Sequence, residues 1–254
     1  MVLSALLDDV DPDGLLEFSV VFTDRSLNSM SKAFQEVMTD ISSILREVYQ
    51  ADGVALVPGG GTYAMEAVAR QLAEGETVMV IRNGWFSYRW TQIFEAAKLP
   101  AEEIVMMARR TGNGAQSPLE PAPIDEVVAK ILEAKPSVVF APHVETSAGM
   151  ILPDDYIQAV AEAAHEVGAL LVLDCIASGC AWVKMKALGV DVVISAPQKG
   201  WSASPSAGLV MMSEAALARV RARQSSSFAV DLGKWLTIME AYENGGHAYH
   251  ATMP

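Results

Sequence analysis

Polar and apolar positions along this chain alternate between two rhythms. Between Ser29 and Tyr49, apolar side chains recur at Phe34, Val37, Met38, Ile41, Ile44, Leu45 and Val48, a spacing that predicts an amphipathic helix. Short unbroken apolar runs follow at 54–57, 77–81, 138–141, 170–173, 192–196 and 208–212. An unbroken run, as opposed to an every-other-residue pattern, marks a strand with both faces covered. Helical patterns separate the runs, at about 63–72, from the aromatic segment 85–90 onward, and near 124–134, 154–167 and 214–223. Such alternation predicts an α/β fold, a mostly parallel sheet lying between helices. Residues 1–25 carry Asp-Pro and Asp-Gly turn signals and read as an irregular arm, leaving 26–254 as one large domain. Residues 108–123, with their Gly, Asn, Ser and Pro, read as a surface loop, and 245–254 as a loop leading into more protein.

Composition narrows the function. The chain has 254 residues, 51% of them hydrophobic, and a formal net charge of -13. That balance argues against nucleic acid, which is held by basic patches. No apolar run approaches the roughly 20 residues that span a bilayer, and no basic segment precedes the first apolar residues. Neither a membrane nor a secretory route is therefore expected. The two cysteines, Cys175 and Cys180, fit no usual metal spacing and no disulfide framework, so a reducing cytoplasm is the expected setting.

The candidate chemistry clusters just after strand ends, the edge where open α/β sheets bind ligands. Run 170–173 ends in Asp174, and run 192–196 leads to Lys199 and a stretch of small residues. A lysine kept from water loses its preference for the ammonium form and becomes a nucleophilic amine. An acid converging with such an amine suggests Schiff-base chemistry on an aldehyde cofactor. The turn 59–62, Gly-Gly-Gly-Thr, joins a strand to a helix, so its backbone can approach a phosphate monoester closely. A plain glycine turn with Thr62 as helix cap is the simpler reading. A Walker A loop is excluded, since no Lys-Ser or Lys-Thr follows, and the dinucleotide glycine spacing fails. Trp85 and Phe86 stand where a ring could stack on a planar cofactor, although core packing is the commoner fate of aromatics. His143 precedes Glu145, Thr146 and Ser147, whose hydroxyls could reach such a ring. His165 reads as a surface or satisfied histidine, and Cys175 as a small core residue.

Taken in order, the segments Asn83-Gly84-Trp85-Phe86, Asp174-Cys175-Ile176-Ala177-Ser178 and Pro197-Gln198-Lys199-Gly200 resemble the class V aminotransferases, over roughly residues 20–254. These are fold-type I enzymes dependent on pyridoxal 5'-phosphate, and the nearest branch resembles alanine–glyoxylate and serine–glyoxylate (serine–pyruvate) aminotransferases. The resemblance implies a mostly parallel seven-stranded sheet. It makes Lys199 the Schiff-base lysine and Asp174 the partner of the pyridinium nitrogen. Phe86 and Ile176 would cover the two ring faces. Gly60, Gly61, Thr62 and Gln198 would lie at the phosphate, and Thr146 near the ring. Tyr249 and Thr252 would reach the phosphate of a neighbouring subunit, implying a homodimer with shared active sites. The implied reaction moves an amino group between alanine or serine and a 2-oxo acid, glyoxylate or pyruvate.

One departure stands out. Family members continue into a C-terminal small domain with an arginine for the substrate carboxylate, and nothing here matches it. Transamination of 2-aminoethylphosphonate with pyruvate remains an alternative, as does a non-catalytic cofactor-binding or regulatory protein. Cysteine desulfuration is disfavoured by Gln198 where a histidine is usual, and a nicotinamide dehydrogenase by the glycine spacing.

Overall fold

The computed structural model describes residues 29–247; the arm expected over 1–25 lies outside them. Helix α1 spans Lys32–Tyr49, with the Ser31 hydroxyl accepting from the Phe34 amide at 3.1 Å. There follow β1 (Gly53–Pro58), α2 (Gly61–Leu72), β2 (Thr77–Arg82), α3 (Trp85–Ala97) and β3 (Glu102–Met107). Two short strands, β4 (Arg109–Arg110) and β5 (Leu119–Glu120), pair within the expected surface loop. Beyond them come α4 (Ile124–Ala134), β6 (Val138–Pro142), the small hairpin β7 (Val144–Glu145) and β8 (Met150–Ile151), and α5 (Asp154–Glu166). The chain continues through β9 (Leu170–Asp174), α6 (Met185–Leu188), β10 (Val192–Ser195), β11 (Ala207–Met212), α7 (Glu214–Ala222) and α8 (Leu232–Glu243).

Seven strands form the main sheet in the order β1-β11-β10-β9-β6-β2-β3. All neighbours pair parallel except β11, which runs antiparallel to both β1 and β10. Its direction follows from its connection. Residues 196–206 hold no helix, and a strand can return to lie parallel only through a long crossover. β3, which the apolar pattern does not reveal, is one of the sheet's two edge strands. Its sequence begins with two glutamates, and its side chains are half-buried or exposed. The interior is packed with fully enclosed side chains. Trp90 of α3 lies 4.5 Å from Phe140 of β6, ring centroid to centroid, with Phe94 5.3 Å from Phe140. Registers Ile194↔Asp174 and Pro142↔Asp174 align the ends of β10, β9 and β6 at one edge.

Candidate active site

That edge gathers four loops. The first is the glycine turn after β1. Gly59 and Gly60 take φ of 115° and 129°, values that favour glycine, and the turn is tied down where Gly59 N–H donates to Ser206 O at 3.0 Å. No side chain caps α2, whose cap residue is Gly60, so the helix N-terminus stays open to an anion. Thr62 lies inside the first turn and not at the cap, which removes the simpler reading of its hydroxyl. A methyl group on Gly61 would come within 2.5 Å of Ile176 Cδ1, so the turn packs closely against the side chain two residues past β9.

The second loop starts α3, whose cap, Gly84, has no side chain. Glu145 supplies the missing acceptor from across the fold. Its Oε1 accepts from the Phe86 amide at 3.1 Å and Oε2 from the Ser87 amide at 2.9 Å. The Ser87 and Ser147 hydroxyls donate to it at 2.7 and 2.6 Å, and the Trp85 amide donates to Ser147 Oγ at 2.8 Å. Burial pushes the Glu145 pKa up, but the bonds from Ser147, Ser87 and the Phe86 amide outweigh it and hold the carboxyl below its ordinary value. A methyl on Gly84 would lie 2.3 Å from Ser147 Oγ, so the Asn-Gly pair serves close approach as well as turning the chain. Phe86, thus fixed, is 38% exposed.

The third loop follows Asp174, which is 7% exposed. Its Oδ1 accepts from the Ile176 amide at 2.9 Å, and its carbonyl takes the His143 amide at 2.9 Å. Burial pushes its pKa up to about 6; the Ile176 amide and the positive charge of Arg89 oppose that rise, and Glu145 adds to it. Beside it, His143 Nδ1 and Ser178 Oγ are bonded at 2.7 Å, and burial holds the imidazole below its ordinary pKa. Cys175 is buried with its thiol pushed up by desolvation, an inert core residue as expected.

The fourth loop carries Lys199. A Cβ on Gly200 would stand 2.1 Å from Gly179 O, so the Lys199 loop rests backbone-to-backbone on the loop leaving Asp174. The expected dry amine is not found: Lys199 and Gln198 are both exposed. The residue sits on the 196–206 connection beyond the strand end, and the small side chains around it cover little. Thr146 is likewise exposed, on the turn between β7 and β8. Tyr249 and Thr252 lie outside the described residues.

Two roles at this edge escape motif reading. That of Glu145, a residue already within the His143–Ser147 segment, is found only by asking what caps a helix that begins in glycine. Arg89 is found by noting that it shares the Phe86 face of α3, three residues on. Its Nη1 donates to Thr62 Oγ1 at 3.3 Å and its guanidinium lies 5.6 Å from the Phe86 ring centroid. Among the described residues, no group of three or more His, Cys, Asp or Glu side chains could hold a metal, and no helix is long and apolar enough to cross a membrane.

A mostly parallel seven-stranded sheet between helices, with a glycine cradle, a capped aromatic and a buried acid on one edge, is the fold of the fold-type I aminotransferases. The family model for aminotransferase class-V matches residues 17–245, and the chain belongs to that family. It is 27% identical over 236 residues to an alanine–glyoxylate aminotransferase of Rattus norvegicus, covering 91% of this chain and 54% of the relative. It is 29% identical over 221 residues to a 2-aminoethylphosphonate–pyruvate transaminase of Burkholderia mallei, covering 85% and 56%. Among solved structures, an alanine–glyoxylate aminotransferase from Nostoc sp. superposes with a TM-score of 0.75 at 26% identity, covering 90% of this chain and 58% of that one. The chain spans about half the length of the curated relatives it matches.

Proposed function

We propose that residues 26–254 form the cofactor-binding large domain of a pyridoxal 5'-phosphate-dependent aminotransferase. The observation that carries this reading is Asp174, a buried carboxylate at a strand end that faces a burial cost and, among the described residues, has one side-chain hydrogen bond. A cation placed against it would offset that cost and return the carboxyl to its ionised form. The residues present fit the cofactor. The uncapped α2 and Gly60-Gly61-Thr62 suit its phosphate, with Gln198 alongside. Phe86 and Ile176 suit its ring faces, Thr146 its ring oxygen, and Asp174 its pyridine nitrogen. When bound, that group draws electrons from the substrate's α-carbon.

The protein supplies the rest. Lys199 would be the amine that holds the cofactor, and once freed it would take the substrate's α-proton as general base. Its exposure in this chain is consistent with a site completed by further protein. The large apolar surfaces of Tyr63 (54% exposed) and Trp85 (61%) beside the same edge invite such a cover. In this reading the enzyme is a homodimer with shared sites, Tyr249 and Thr252 meeting the partner's phosphate. Two free cysteines suit a cytoplasmic setting. The substrates are alanine or serine as donor and glyoxylate or pyruvate as acceptor; alanine and glyoxylate are the pair named for the Rattus norvegicus relative.

Borohydride reduction of the protein mixed with pyridoxal 5'-phosphate, followed by peptide mass analysis, is expected to mark Lys199. Loss of the mark in Lys199→Ala, together with half-reaction spectra responding to alanine or serine, would support the reading. A response to 2-aminoethylphosphonate alone would shift the substrate class, and an unmarked Lys199 would end the cofactor assignment.

A further inference from the structure

Arg89 reaches into this edge, and none of the ion pairs among the described residues involves it. It is half-buried on α3. From there it bridges two features that otherwise belong to different loops: the hydroxyl of Thr62 in the first turn of α2, at 3.3 Å, and the ring of Phe86, at 5.6 Å. Its charge also reaches Asp174, where it works against the effect of burial. An arginine without a carboxylate partner, lying beside an open helix N-terminus and a glycine cradle, is poised for an oxyanion. The planar fork can give two parallel N–H donors to one phosphate, a geometry a lysine cannot match.

We infer that Arg89 is a phosphate-binding residue of this site, donating from α3 to the same phosphate that the α2 turn cradles. The inference rests on the cofactor reading and deepens it by adding a cation to a cradle otherwise made of backbone and hydroxyl. Thr62 then has a second role. Its hydroxyl holds the guanidinium in place before the anion arrives, so little side-chain freedom is lost on binding.

The test compares two ligands that differ only in the phosphate. Pyridoxal 5'-phosphate and pyridoxal are titrated by absorbance against the parent protein, Arg89→Gln and Arg89→Lys, with circular dichroism confirming that each variant is folded. Losing a charge-assisted bond is expected to weaken pyridoxal 5'-phosphate binding on the order of tenfold to a hundredfold in Arg89→Gln. Arg89→Lys should fall between, and pyridoxal should bind all three alike. Inorganic phosphate should raise the melting temperature of the parent and not of Arg89→Gln. Equal losses for both ligands, or no loss for either, overturn the inference. The borohydride mark on Lys199 separates the two levels. If the parent is marked while Arg89→Gln keeps its preference for the phosphorylated ligand, only the role of Arg89 falls. If the parent is unmarked, the cofactor reading falls and the inference with it.

Discussion

Asp174 and Asp191 stand at opposite ends of the same parallel pair, β9 and β10, both in the interior, and they are held in opposite ways. Asp191 accepts from the Leu171 amide and from His165 Nε2, each at 2.9 Å on Oδ2, and from the Ser213 hydroxyl at 2.9 Å on Oδ1. It stitches β9, α5 and the start of α7 together and leaves its carboxylate fully engaged. Asp174, at the other end, has the Ile176 amide alone on its side chain among the described residues. One aspartate completes the scaffold, while the other bears the strain of an interior charge and is available to something that arrives later. Burial alone does not distinguish a structural acid from a functional one; the number of donors does.

The comparison breaks most sharply at the site end. Removing the amine with Lys199→Ala should abolish both the reducible adduct and amino-group transfer, read by mass and by half-reaction spectra. Asp174→Ala should lower transamination on the order of a hundredfold or more, the scale of losing one preorganised charge partner, with the fold intact by circular dichroism. At the scaffold end the effect should be on stability. Asp191→Ala strands the Leu171 amide in the interior and should cost roughly 2–3 kcal/mol in urea denaturation, with cofactor affinity scarcely changed.

A pH series sharpens the contrast further. The folded pKa of Asp174, about 6, lies above its ordinary 3.8, so its contribution is present below roughly pH 4 and is lost as pH rises through 6. Cofactor-free protein should therefore lose on the order of a few kcal/mol across that window, and Asp174→Asn should flatten the curve. A wild-type curve already flat there would contradict the assignment of an unrelieved acid. The smallest effect is expected for Ser213→Ala, which removes a cap on α7 and one bond to Asp191. About 1 kcal/mol should be lost, measured by the same denaturation.

Much of this architecture is legible in the chain itself, for physical reasons that also mark where legibility stops. The strands β1, β2, β6, β9 and β10 announce themselves because residues buried on both faces leave an unbroken apolar run. β3 does not, since an edge strand with exposed glutamates breaks that pattern. The antiparallel course of β11 depends on the absence of a helix in its connection, which apolar runs alone do not report. Asp174 and the glycine turn could be read because strand ends and glycines are local signals. The Glu145 cap of α3 joins residues nearly sixty positions apart, and the meeting of Arg89 with Thr62 joins two helices. Neither has a local signature. The exposure of Lys199 has the same origin, since what covers a loop is decided by whatever packs over it.

The backbone contact between Gly200 and Gly179 carries one more consequence. With carbonyl and α-carbon in direct touch, the arm bearing the amine cannot be lengthened, shortened or stiffened independently of the segment downstream of β9. The pair behaves as a hinge pin: a branched residue introduced at position 200 would prise the two strand-end segments apart and shift Lys199 and Asp174 relative to each other. Engineering of this edge, for a bulkier cofactor analogue for example, has to treat both segments as a single moving part.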